Sequence, residues 1–132
     1  MNYKLIKKKV NYFFSHDVKD LEAVAGKRLI EVSPVQQVDD EKNWLSVDGA
    51  RAELGLIKAC IIQLDGREQE LMKRRYLLNQ SYAQMTAELY YSDTTIARTL
   101  SSACAHFALA YAARGRDLLR KWIKWKIPKG LF

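Results

Sequence analysis

The chain has 132 residues, a formal net charge of +7 and two cysteines. This length suits a single compact domain, and two cysteines are too few to build a disulfide scaffold. No apolar run is long enough to cross a bilayer, and the short run that follows Lys7–Lys9 has neither the length nor the cleavage site of a signal peptide. These features predict a cytoplasmic protein with reduced thiols and no membrane insertion.

The positive charge lies in the second half of the chain. Residues 1–66 contain 10 basic and 10 acidic residues, whereas residues 67–132 contain 12 basic and 5 acidic residues. This asymmetry is typical of a nucleic-acid-binding protein, but an anionic membrane surface or an acidic protein would be attracted in the same way. Charge therefore favours nucleic acid and leaves the other two partners open.

The spacing of apolar residues predicts an all-α fold in three parts. Residues 1–47 are expected to form an N-terminal helical arm that ends at Gly26, followed by an irregular linker with a short extended piece at 29–32. Residues 48–113 are expected to form a helical domain that contains a helix-turn-helix. Residues 114–132 are expected to form a basic amphipathic C-terminal helix.

Residues 80–107 have the pattern of two helices around a tight turn. Ser81 followed by Gln84 is a capping box, in which each side chain satisfies the backbone N–H of the other residue, so a helix is expected to begin there. Ser92 offers a second N-cap with Asp93 in the first turn. The helix 93–107 is expected to bury Ile96, Leu100, Ala103 and Phe107 and to turn Thr94, Ala97, Arg98 and Ser101 outward. A DNA major groove can accept such a face of small groups around one arginine.

A family resemblance follows from the same residues. The segment SYAQMTAELYYSDTTI, which spans Ser81–Ile96, together with the preceding Arg74-Arg75-Tyr76, resembles the fourth region of bacterial sigma factors. It resembles the ArpU and RinA-type regulators of phages and prophages more closely, over about residues 67–107. The resemblance implies a helix-turn-helix that reads promoter DNA and a role in activating a late or morphogenetic operon. Tyr90 departs from the pattern, because it stands where a glycine is usual in the turn.

The predicted DNA contacts form two groups. The residues expected to face base edges are Thr94, Ala97, Arg98 and Ser101, with Arg98 as the expected contact to guanine. The residues expected to meet the DNA backbone are Ser81, Tyr82, Ser92, Ser102, Arg116, Lys121 and Lys124. Each group has a plainer alternative, because capping alone accounts for Ser81 and Ser92 and an amphipathic helix also exposes a polar face.

The C-terminal segment is open to several interpretations. Its cations and its apolar stripe suit a terminal helix docked on the domain, a clamp on the DNA backbone, a dimer interface or, least well, a helix on a membrane surface. If it is a clamp, a chain that ends at Gly115 should stay folded.

No residue pattern indicates catalysis, a cofactor or a metal site. His16 and His106 each lack a second ligand at a spacing that would place two ligands on one helix face. Gly26-Lys27 lacks the spacing of a phosphate-binding loop. We therefore expect a protein that is not an enzyme and needs no cofactor or metal.

Taken together, the sequence predicts a sequence-specific DNA-binding transcriptional regulator, encoded by a phage or prophage and acting in a bacterial host cell. Its expected partners are double-stranded DNA, RNA polymerase and a second copy of itself in a dimer. Two alternatives stay open. One is a phage DNA-packaging recognition protein, and the other is a helical interaction protein or membrane-surface adaptor in which the turn motif is only scaffold.

Overall fold

The computed structural model describes residues 2–38 and 44–118, and every regular element within them is helical. The α-helices are α1 (Tyr3–Tyr12), α2 (Val18–Ala25), α3 (Val47–Ile62), α4 (Gly66–Met72), α5 (Tyr82–Leu89) and α6 (Asp93–Ala112). The predicted all-α fold is confirmed.

Two π-helical turns interrupt the regular α-helices. One (Phe13–Asp17) joins α1 to α2, and the other (Lys73–Leu77) continues α4. A π turn holds more residues than an α turn, so it changes which side chains face the core. The neighbouring residues Phe13 and Phe14 of the first turn are both buried.

The hydrophobic core is built around α6, against which α1, α3, α4 and α5 pack. An aromatic cluster of Phe13, Phe14, Phe107 and Tyr111 joins the N-terminal helices to α6, with ring centroids 5.2 to 6.3 Å apart. Because these side chains share one core, the N-terminal segment is an integral layer of the domain and not the separate arm that its sequence suggested.

The segment after α2 packs onto α3. Gly26 ends α2 in the left-handed conformation, with φ of 66°, as its position predicted. A 3₁₀ turn (Leu29–Glu31) then takes the place of the predicted extended piece, which was wrong. The Lys58 amine holds this turn by donating hydrogen bonds to the carbonyls of Ile30 (2.7 Å) and Val32 (2.8 Å).

The C-terminal end of α6 also differs from the prediction. The helix continues to Ala112, and residues 113–118 form a turn and an irregular stretch rather than the beginning of a new helix. Leu118 is buried in the core. The rest of the predicted C-terminal helix, with Lys121 and Lys124, lies outside the described residues.

Candidate nucleic-acid interface

The helix-turn-helix begins at the predicted capping box. The Ser81 hydroxyl accepts a hydrogen bond from the Gln84 N–H at 3.1 Å, and the Gln84 side-chain oxygen accepts one from the Ser81 N–H at 2.7 Å. The second N-cap is also confirmed, because the Ser92 hydroxyl accepts from the Thr95 N–H at 3.1 Å. Both helix starts are therefore fixed by local side-chain bonds.

Tyr90 ends α5 in the left-handed conformation, with φ of 58° and ψ of 27°. Its N–H donates to the Thr86 carbonyl at 3.0 Å, and the Thr86 hydroxyl donates to the Asp93 carboxylate across the turn, also at 3.0 Å. The Tyr90 side chain is 92% exposed, so its ring does not obstruct the turn. A non-glycine residue is uncommon in this conformation but is tolerated singly.

The predicted outward face of α6 is present. All four residues expected to be buried on α6 are buried, whereas Thr94 and Arg98 are exposed and Ala97 and Ser101 are half-buried. Tyr3 of α1 lines a shallow groove with four residues of α6, which are Ala97, Arg98, Ser101 and Ser102. The first two turns of α6 are thus the accessible part of the face, and α1 borders it on the side of Ser101.

Ser102 is directed toward α4. Its hydroxyl donates a 2.7 Å hydrogen bond to one carboxylate oxygen of the buried Glu68, and Nδ1 of His106 lies 2.7 Å from the other oxygen. The Glu68 carboxylate thus links α4 to α6, and it accepts the hydrogen bond that the Ser102 hydroxyl can donate. The structure therefore does not support the predicted backbone contact at Ser102, which needs a free hydroxyl.

Arg116 is also removed from the predicted contacts. Its guanidinium binds the Glu53 carboxylate with two hydrogen bonds, from Nη2 to Oε1 at 3.0 Å and from Nε to Oε2 at 3.1 Å. Glu53 has no exposed surface, and it also accepts a hydrogen bond from the Tyr111 hydroxyl. Burial and the nearby carboxylate raise the pKa of Tyr111. Arg116 therefore neutralises a buried charge within the domain.

Two residues before the helix-turn-helix join it to its neighbours. Arg74 forms ion pairs with Glu70 at 2.7 Å and with Glu88 of α5, and the hydrogen bond with Glu70 is the main reason that its pKa is raised. The Tyr76 ring stacks on Phe14 at a centroid distance of 4.3 Å. These contacts fix α5 against α4 and α4 against the N-terminal helices.

Two cations lie over Tyr82, the first residue of α5. The Lys7 amine is 5.2 Å from the ring centroid and the Arg75 guanidinium carbon is 5.3 Å from it. Lys7 is 75 positions before Tyr82 in the sequence, and no DNA contact was predicted for it. One signal was present, since α1 contains four lysines and no acidic residue, but its position beside Tyr82 was not readable from local sequence.

Within residues 2–38 and 44–118, no cluster of three or more histidines, cysteines and carboxylates is placed to hold a metal ion. In the same residues, no helix combines the length and apolar character needed to cross a bilayer. Cys60 and Cys104 are free and buried, and burial raises the pKa of each thiol to about 11. At neutral pH both sulfurs are protonated and packed within the core.

Comparison of the chain with protein-family models, curated proteins and solved structures gives no match. The similarity to ArpU and RinA-type regulators accordingly rests on the sequence pattern of residues 67–107.

Proposed function

We propose that this protein is a sequence-specific DNA-binding transcriptional regulator that reads duplex DNA through α5 and α6. The observation that carries this proposal is the pair of capped helices around Tyr90, which leaves Thr94 and Arg98 exposed at the beginning of the second helix. The sequence resemblance further favours a phage or prophage regulator.

In this proposal the first two turns of α6 enter the major groove. Arg98 donates two hydrogen bonds to O6 and N7 of a guanine, and the Ala97 methyl group packs against a thymine methyl group. Thr94 and Ser101 offer a hydroxyl to either kind of base edge. α5 crosses the DNA backbone, where Ser81, Tyr82 and Ser92 lie at helix starts and position phosphate groups.

A module of this size gains specificity by combining with another. A dimer would read two half-sites one DNA turn apart, and contact with RNA polymerase would place the regulator at a promoter. Both partners are part of the proposal.

Selection of bound sequences from a random duplex pool, followed by fluorescence anisotropy on the selected duplex, tests the function. If four to six phosphates are contacted, log affinity should fall against log salt with a slope of about four to five. No enrichment, a flat salt titration and tight binding to anionic vesicles would together favour the membrane-surface adaptor instead. A promoter-reporter assay separates a regulator, which changes reporter expression, from a packaging protein, which does not.

The variants Arg98→Ala and Arg98→Lys distinguish base-specific recognition by Arg98 from a purely electrostatic attraction to DNA. Loss of a bidentate contact to guanine costs about 1 to 3 kcal/mol and relaxes preference at one base position. Weak non-specific binding should stay largely intact in the alanine variant. The lysine variant keeps the charge but lacks the planar fork, so it should also bind non-specifically without the full preference. Equal losses on every duplex in a single-base panel would show that Arg98 is not a base reader.

A further inference from the structure

We propose that Lys7 and Arg75, which lie over the Tyr82 ring, bind phosphate groups of the DNA that α6 reads, which makes α1 a second DNA-contacting element. This inference rests on the proposed function. It assigns a role to an N-terminal helix that lies outside the helix-turn-helix in sequence but beside it in space.

Lys7 and Arg75 both lie close to one aromatic ring. Both charged groups lie little more than 5 Å from the Tyr82 centroid. Lys7 and Arg75 therefore form one local positive field at the start of α5, where the neighbouring Ser81 is expected to face the backbone.

Lys7 and Arg75 differ from other cations of the domain in their partners, and Arg75 donates a 3.0 Å hydrogen bond to the backbone carbonyl of Gln80. Within the described residues, Lys7 and Arg75 form no ion pair with a carboxylate. Arg74 and Arg116, by contrast, each bind a glutamate. A DNA phosphate group near either cation can form a charge-assisted hydrogen bond with it, and the other cation adds to the local positive potential. An anionic ligand is therefore the kind of ligand that these two cations would bind.

Helix α1 borders the face of α6 that is proposed to read DNA. Tyr3, one helical turn before Lys7, borders the groove next to Ala97 and Arg98, so α1 runs from the reading face to the Tyr82 ring. Lys4 lies between Tyr3 and Lys7 in the sequence, and its side chain is exposed. Major-groove entry by α6 brings a phosphate strand along each side of the helix, because the groove is only about 12 Å wide. We assign one of these strands to the lysines of α1.

The test compares Lys7→Gln with Lys27→Gln on the selected duplex and on a scrambled duplex. Lys27 is exposed in the loop after α2, in the layer that packs on α3, and its variant removes the same charge. Lys7→Gln should lower affinity roughly five- to tenfold at 0.1 M salt on both duplexes and reduce the salt slope by about 0.9, the value for one phosphate contact. Lys27→Gln should leave both quantities unchanged, and Lys7→Arg should retain them.

A footprint on the unmodified protein gives an answer that does not depend on how well a variant folds. Amine acylation followed by mass spectrometry should show Lys7 protected when duplex is bound and Lys27 equally reactive with and without DNA. Equal acylation of Lys7 in both states, with equal affinities of the two glutamine variants, would overturn the inference and leave the proposed function standing. Failure of the unmodified protein to bind any duplex would overturn both.

Discussion

Arg116→Met should destabilise the domain severely, because it leaves the Glu53 carboxylate in the core without its cation. The side chain of Glu53 is 0% exposed and that of Arg116 is 13% exposed, so solvent screens this pair weakly. Removal of one partner from a buried ion pair costs about 3 to 5 kcal/mol, a large share of the roughly 5 to 15 kcal/mol that stabilises a typical domain.

Urea unfolding, monitored by circular dichroism, measures this loss as a fall in midpoint at constant m-value. Arg74→Met is the matched control, because its pairs with Glu70 and Glu88 involve carboxylates that are about half exposed, and it should cost about 1 kcal/mol or less. Glu53→Gln combined with Arg116→Met removes both charges and should recover about 2 kcal/mol or more of the loss. A loss from Arg116→Met no larger than that of the Arg74 control would refute the reasoning.

The same pair changes what a C-terminal truncation would test. A chain that ends at Gly115 loses Arg116 and also the buried Leu118, whose burial contributes about 1.5 to 3 kcal/mol. Such a chain is expected to unfold, whereas the clamp interpretation of the C-terminal segment predicted that it would stay folded. A test of the C-terminal segment must therefore cut the chain after Leu118.

Three further outcomes follow from backbone and burial. Tyr90→Gly should be about 1 kcal/mol more stable than Tyr90→Ala in urea unfolding, because both remove an exposed ring but only glycine relieves the left-handed strain; equal stabilities would show that the turn is unstrained. Gly55→Ala should lower the free energy of unfolding by about 1 to 3 kcal/mol, because its β-carbon would lie 2.6 Å from Val35 and 2.7 Å from the Ser33 carbonyl. Gly66→Ala is the control, because its β-carbon would meet nothing within 4 Å, and it should be neutral or stabilising. Burial raises the pKa of Cys60 and Cys104 to about 11. The protonated thiols therefore make their full contribution to the free energy of unfolding below the pKa of the unfolded chain, and this contribution is lost as pH rises toward 11. Chemical unfolding from pH 8 to 11 should show a decline that is shallower in the double alanine variant, by up to about 1.4 kcal/mol per pH unit for each thiol replaced; identical profiles would contradict this.

The helix-turn-helix could be predicted because its signals are local. Ser81 and Ser92 bind backbone groups three residues away, and the buried face of α6 follows the helical period. The family resemblance placed Tyr90 in the turn, and the second cap, Ser92, follows it two residues later. These interactions depend on few residues and survive in the folded protein.

The roles that were missed depend on partners far away in the chain. Arg116 binds a carboxylate 63 positions earlier, and Ser102 binds one 34 positions earlier. Both side chains are polar and have basic or polar neighbours in the sequence. The local pattern therefore predicts that they contact solvent or DNA. Lys7 likewise gains its significance from Tyr82, on a helix that only the tertiary fold brings near. The region of the 3₁₀ turn at Leu29–Glu31 also has a distant partner, because Lys58 of α3 donates hydrogen bonds to the carbonyls of Ile30 and Val32.

The two π turns have a consequence for comparing this chain with possible relatives. They meet where Phe14 of the first stacks on Tyr76 of the second. A π turn accommodates one extra residue without rotating the flanking helices. A homologue with regular helices would therefore have one residue fewer at each of the two π turns. An alignment without gaps would then shift every position on one side of the turn by one residue, or about 100° around the helix. Placing single-residue gaps within residues 13–17 and 73–77 would keep the buried faces of both helices in register.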